Sequence, residues 1–325
     1  MKFLIAGFGS IGRRHFRNLL KLGEREIIFY RTGQSTLPGE ELKGYPVESD
    51  IQAALSHRPD GVIISNPTSC HLDVAIPAAD MGCHLLIEKP ISHSMDRVEE
   101  LEKLIQRGPS KVLVGFQFRY HPNLKQIKKL LDDREIGQPL AVRSHWGEYL
   151  PDWHPWEDYR TSYSARKDLG GGVLLTLCHS FDYLHWLFGP PEVLWSILGN
   201  YSDLDIDVED TAEVGLMFNK TILGSLHLNY TQIPNKHTLE IIGTKGSIFW
   251  DYYRNTVDLY VREESGETNR TTLQSPPEFE RNDLFFDEMK HFLEVTKGNA
   301  EPVCNLQDGI VALKMALQAK TKGSS

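Results

Sequence analysis

At 325 residues the chain is long enough to bury a substantial core, and its length suggests about two domains. Lys and Arg total 35 against 44 Asp and Glu, and the net charge of -9 argues against nonspecific binding to nucleic acid or anionic membrane. No apolar run approaches about 18 residues, and Cys70, Cys83, Cys178 and Cys304 form no C-x-x-C pair. These features lead us to expect a cytoplasmic protein with reduced thiols, no membrane span, no disulfide frame and no metal site.

The first strand, Lys2 to Ala6, begins at once, leaving no room for a secretory leader, and runs into Gly7-Phe-Gly9-Ser10-Ile11-Gly12 and then a helical pattern. Strand, G-x-G-x-x-G and helix in that order describe a dinucleotide pyrophosphate site. Gly7 permits the tight turn, Gly9 lets backbone approach the pyrophosphate, and Gly12 lets the helix lie close to the strand, with its N-terminal N-H groups facing the anion. Strands at Glu26 to Tyr30, Gly61 to Ser65, His84 to Ile87 and Lys111 to Gly115 alternate with helices near Ile11 to Leu22, Ile51 to His57, Leu72 to Met81 (Pro77 as a kink) and Met95 to Arg107 (Ser94 as its cap). This alternation predicts an α/β fold whose N-terminal part, residues 1–120, is a doubly wound parallel Rossmann sheet.

At the end of the second strand, where NAD enzymes usually carry Asp or Glu, this chain has Tyr30-Arg31-Thr32. Arg31 and Thr32, helped by Arg13 or Ser35, suit a 2'-phosphate, so NADP is expected in preference to NAD. Glu88-Lys89-Pro90 follows the fourth of these strands, at the carboxyl end where open α/β sheets bind ligands. Lys89 there can meet a substrate hydroxyl or carbonyl; a surface lysine before a proline turn would look the same.

After a helix near Asn123 to Asp133, successive strands near 140–146, 193–198, 211–218, 222–230, 238–242, 247–250 and 256–261 come without intervening helices, which predicts an antiparallel or mixed sheet over residues 121–325. Helices near 283–296 and 306–320 close the chain. Within this part, Tyr149 to Arg166 is a loop dense in rings and charges, including Trp153, Trp156, Tyr159, Arg160, Tyr163 and Arg166. It suits a polyhydroxylated ring, with Arg160 or Arg166 holding an anionic group, or else an interface plug. Gly170-Gly171-Gly172 then precedes a helical pattern in which Thr176, His179 and Asp182 step by three along one face, while Leu174, Leu175, Phe181 and Leu184 face a core. His179 reads as a general acid/base or as a histidine held by Asp182. Neither a nucleic-acid platform nor a metal-ligand spacing emerges from these residues.

Taken in order, the glycine loop ending Arg13-Arg14-His15, Asn66-Pro67 with His71, Glu88-Lys89-Pro90, Gly115-Phe-Gln117-Phe-Arg119-Tyr-His-Pro122 and the triple-glycine helix resemble the glucose-fructose oxidoreductase/inositol dehydrogenase (Gfo/Idh/MocA) family. The resemblance implies NAD(P)-dependent oxidation or reduction of a sugar, with a C-terminal α/β domain whose open, mostly antiparallel sheet forms a homodimer or homotetramer. It implies Lys89 and His179 as the catalytic pair flanking the reacting carbon, Asn66, Pro67, His71 and Glu88 along the cofactor, and Gln117 and Arg119 near the nicotinamide end. It puts Trp153, Tyr159, Arg160, Tyr163, Arg166 and Thr176 with the substrate, which the aromatic stretch compares to acidic or nucleotide-linked sugars of surface-polysaccharide pathways. One departure is that Leu175 and Thr176 stand where relatives carry an aspartate. A dinucleotide-retaining glycoside hydrolase and a noncatalytic dinucleotide-binding regulator are the competing readings.

Overall fold

A computed structural model describes residues 1–33 and 39–323. Two compact units emerge: residues 1–117 with 280–313, and residues 118–279 with 314–325. The hand-over is expected near residue 120, and the first division of the structure falls after Gln117. The chain returns to the first unit for 34 residues.

The first unit is built on β1 (Lys2–Ala6), β2 (Glu26–Tyr30), β3 (Val47–Glu48), β4 (Gly61–Ile64), β5 (His84–Ile87) and β6 (Val112–Val114). They form one parallel sheet in the order β3-β2-β1-β4-β5-β6. After the first residue of β1 (Lys2) and of β5 (His84), its central strands are apolar and buried, as a sheet covered on both faces requires. The helices are α1 (Ser10–Lys21), α2 (Ile51–Ser56), α3 (His71–Asp80, with Pro77 inside it) and α4 (Val98–Arg107). Ser94 does not cap α4: its hydroxyl accepts the Asp96 N-H at 3.2 Å in a local turn, and the helix begins only after Arg97 in the left-handed region.

The second unit carries α5 (Pro122–Asp132), β7 (Pro139–Tyr149), α6 (Val173–Thr176), α7 (His179–Phe188), β8 (Pro191–Gly199), β9 (Thr211–Phe218), β10 (Ile222–Asn229), β11 (Thr231–Gly243), β12 (Gly246–Asp251), β13 (Thr256–Arg262) and β14 (Thr268–Gln274). The strands make one sheet in the order β14-β13-β12-β11-β7-β10-β9-β8, antiparallel except for the parallel pair β7/β10. One face buries Val142, Trp146, Val214, Leu226, Leu239 and Trp250. On the alternate positions, the other face presents Trp195, Ile197, Leu223 and Phe249 as exposed. The chain ends in α8 (Arg281–Thr296), which packs against α1 in the first unit, and α9 (Leu306–Gly323). Among the described residues no helix is long and apolar enough to cross a membrane.

Candidate functional site

The glycine turn between β1 and α1 separates two jobs among its three glycines. Gly7 has φ +89°, and a Cβ there would lie 2.6 Å from the Asn66 nitrogen; a Cβ on Gly12 would lie 2.4 Å from the Gly7 carbonyl oxygen. Both are therefore required by the fold itself. A Cβ on Gly9 would meet nothing within 4 Å. Gly9 is also the residue before α1, whose first turn carries no acidic side chain and no side-chain cap, and Ser10 is exposed with Ile11 partly so. Open backbone at a helix N-terminus leaves N-H groups for an anion.

At the end of β2, Arg31 and Arg13 approach the same Phe8 ring, at 5.8 and 4.5 Å from its centre. Thr32 is exposed beside them, and Ser35 lies outside the described residues. Sequence reading missed Glu41, which binds Arg13 at 2.6 Å and takes two bonds from Arg17. Those arginines hold its carboxyl below the usual range. No spacing rule links an acidic residue to arginines 24 and 28 positions earlier.

Behind this turn, Asn66 is half-buried and Pro67 exposed, whereas His71 is buried with Nε2 on the Asn66 carbonyl (3.0 Å) and Nδ1 on the Pro90 carbonyl (2.9 Å). His71 thus braces the loop after β4 against the turn after β5. Burial holds its imidazole below the ordinary value. Lys89 sits half-buried at the carboxyl end of β5, and its backbone N-H donates to Glu88 Oε2 at 3.3 Å. Glu88 is buried, accepts from His15 Nε2 at 2.7 Å, and is kept ionised by His15 and Lys89 against its own desolvation. Gly115 makes room for this carboxylate: a Cβ there would lie 3.1 Å from Oε2. Glu88, His15 and Glu288 form one buried group whose polar atoms lie within 4.8 Å of one another. The sequence could not disclose it, because Glu288 is 200 positions downstream of Glu88.

In the second unit, the expected single helix is two: α6 ends at Thr176 and α7 starts at His179, so Thr176, His179 and Asp182 do not share a continuous helical face. The triple glycine approaches its own chain. A Cβ on Gly171 would lie 2.4 Å from the Tyr163 carbonyl oxygen, and one on Gly172 (φ +106°) 2.4 Å from the Glu209 carboxylate. The glycines therefore clamp the aromatic loop to the head of α6.

His179 is buried at the start of α7, its ring 5.1 Å from Phe118 and 5.6 Å from Trp146. Asp182 receives Arg119 Nε and Nη2 at 3.1 and 2.7 Å in a buried ion pair. Arg119 is thereby held inside the second unit, while Gln117, buried, closes the first segment of the other unit. Around the same aromatic wall, Tyr183 links Ser144, Ser180 and His237 through its hydroxyl, and Trp146 stacks on His237 at 4.3 Å. Burial keeps His237 well below its ordinary value and pushes Tyr183 up to about 12, so this network is uncharged at neutral pH. Thr176 is buried and hydrogen-bonds Tyr230.

The loop residues are less convergent than expected. Trp153 is partly buried edge-on to Tyr230, Trp156 is 68% exposed, Tyr163 is half-buried, and the Tyr159 hydroxyl accepts the Asp205 N-H at 3.3 Å. Arg160 is bound by Asp158 (2.7 and 2.8 Å) and Arg166 by Asp168 (2.5 and 3.0 Å). Each arginine is exposed and already engaged by a carboxylate two residues away.

Two family models cover most of the chain: an oxidoreductase family with an NAD-binding Rossmann fold over residues 1–116 and a GFO/IDH/MocA C-terminal domain over residues 124–249. Myo-inositol 2-dehydrogenase of Thermotoga maritima is 26% identical over 98% of this chain and 95% of its own length. Levoglucosan dehydrogenase in complex with NADH and L-sorbose superimposes with a TM-score of 0.86 at 18% identity, covering 100% of this chain and 97% of that one. The WlbA dehydrogenase of Bordetella pertussis, in complex with NADH and UDP-GlcNAcA, gives 0.80 at 19% identity, covering 100% and 95%. With both halves matched in order, and with the glycine turn, the Glu88-Lys89-Pro90 turn and the eight-stranded sheet in place, the chain belongs to the Gfo/Idh/MocA family of NAD-binding oxidoreductases.

Proposed function

We propose that the protein transfers hydride between NADP(H) and a carbon of a sugar or cyclitol, with Lys89 and His179 handling the proton. The observation that carries this reading lies within one unit: the open Gly9 turn at the head of α1 and Lys89 at the carboxyl end of β5 stand on the same edge of one parallel sheet. The bound nicotinamide would accept hydride in oxidation and return it in reduction. Lys89 takes the hydroxyl proton as the carbonyl forms, and gives it back in the reverse direction. On the family resemblance His179, packed against Phe118 and Trp146 in the second unit, supplies a second proton site. Gln117 and Arg119 belong to the nicotinamide end on the family resemblance, Arg119 acting through the Asp182 pair that fixes it.

The NADP preference rests on Arg31 and Arg13 each lying against the Phe8 ring, with Glu41 as the opposing charge. Calorimetric titration is expected to give tighter binding of NADPH than of NADH and a selective loss in Arg31→Ala. Equal binding, unchanged by that substitution, sinks the preference. An acidic or nucleotide-linked sugar must take Arg160 or Arg166 from Asp158 or Asp168, whereas a neutral polyol needs no exchange. A substrate panel followed at the nicotinamide absorbance discriminates them: the acidic class requires activity that falls in Arg160→Ala or Arg166→Ala. Sugar release without net absorbance change would instead favour a hydrolase. Trp195, Ile197 and Leu223, exposed on one sheet face, support association of copies through that face; Ile197→Lys with Leu223→Lys should lower the mass in sedimentation equilibrium.

A further inference from the structure

Glu288 projects from α8 into the interior of the dinucleotide unit, fully buried, with no hydrogen-bond donor on either carboxylate oxygen. Its neighbours there are Glu88 and His15, their polar atoms within 4.8 Å of one another. The two carboxyls are not equivalent. Glu88 receives N-H groups from His15 (2.7 Å) and Lys89 (3.3 Å), whereas Glu288 receives none. His15 Nδ1 is also without a partner, and Nε2 is the ring nitrogen that meets Glu88. The other titratable groups that face the pair are Lys89 on the turn after β5 and His71 on α3; the ring of Phe285 lies against His15. Two carboxylates enclosed together cannot both ionise without a cation between them, and the first proton goes to the one lacking donors.

We propose that Glu288 is a carboxylic acid in the folded protein and that Glu88 stays ionised, so that His15, Glu88 and Glu288 act as a positioning unit presenting one negative charge to Lys89. The consequence for Lys89 rests on its proposed role; the protonation of Glu288 does not. A second negative charge would stabilise the ammonium further and raise the pH at which Lys89 releases its proton. The burial that raises the Glu288 carboxyl far above the usual carboxylate range, with Glu88 opposing its ionisation, agrees with this assignment.

Infrared difference spectroscopy of the full-length protein tests the proton directly. The carbonyl stretch of a buried un-ionised carboxylic acid should be present at neutral pH and absent in Glu288→Gln. Glu288→Gln, a neutral isostere, should keep the wild-type pH profile of kcat/KM. Glu88→Gln should move the ascending limb for oxidation to lower pH by about one to two units, since the charge favouring the Lys89 ammonium is gone; Glu88→Asp should restore it. Absence of the band, or its survival in Glu288→Gln, overturns the proposal. So does a thermal midpoint raised by Mn2+ or Zn2+ and lowered by chelator only while Glu288 is present, which would put a cation in place of the proton. A profile displaced as far in Glu288→Gln as in Glu88→Gln overturns the tuning of Lys89. Full turnover in Lys89→Met would refute the catalytic reading alone, leaving the band as evidence on Glu288.

Discussion

Lys89 and His179 are supported in opposite ways. Lys89 is half-buried next to the ionised Glu88. His179 is buried against aromatic rings, and the carboxylate nearest in sequence, Asp182, is engaged by Arg119. On the proposed mechanism Lys89 therefore carries more of the proton transfer. Lys89→Met should cut turnover by about two to four orders of magnitude with dinucleotide affinity nearly intact, and His179→Ala should cost less. Steady-state rates on an identified sugar, with calorimetric titration of the dinucleotide, check the order; its reversal would move the main proton site to His179. The sequence placed Lys89 at the end of a strand and His179 within a helical pattern, because strand and helix periodicity is local. It could not reveal what holds them. Glu288 behind Glu88, Asp182 on Arg119 and Glu41 on Arg13 are pairings between residues 28 to 200 positions apart, set by packing.

Regular elements were legible where one face or both are buried. Strands β1, β2, β5 and β9 fall on the expected residues, since continuous apolar runs and alternating runs carry their own signal. β3 is two residues long and β14 is a polar edge strand, exposed along nearly its whole length, so neither carries a hydrophobic period. The break between α6 and α7 was hidden because Val173 to Phe188 contains no glycine or proline to mark it. At the glycine turn, the element separates fold from binding. Gly12→Ala forces a methyl onto the Gly7 carbonyl and should lower the thermal midpoint as well as dinucleotide affinity. Gly9→Ala meets no atom of the protein and should weaken only the dinucleotide. Paired thermal melts and titrations would show it; equal destabilisation by the two would remove Gly9 from the anion site.

For the whole molecule, the buried carboxyl ties stability to pH. The folded state raises the Glu288 carboxyl above its unfolded value, so the folded state binds that proton more tightly. Its contribution is fully present at pH below the ordinary carboxylate range and is lost as pH rises from there toward the folded value. Glu288→Gln has no such proton to lose. Urea unfolding across pH should show the variant losing less stability than wild type on the alkaline side, and parallel curves would contradict the raised value.

The return of residues 280–313 to the first unit sets a timetable for synthesis. When the ribosome has released the glycine turn, all six parallel strands and the whole eight-stranded sheet, the dinucleotide unit still lacks α8, so Phe3 has no Phe292 against it and α1 lacks its helical neighbour. A nascent chain must hold this half-covered sheet for more than 160 residues of elongation, the interval between Gln117 and Glu280, during which an exposed apolar surface invites chaperones and proteases. A fragment ending at Gln117 should accordingly stay aggregation-prone and fail to retain a dinucleotide, while the same fragment given residues 280–313 in trans or by fusion should recover both solubility and binding. Maturation of the cofactor site is thus a late event in translation, although its glycine turn is made long before α8.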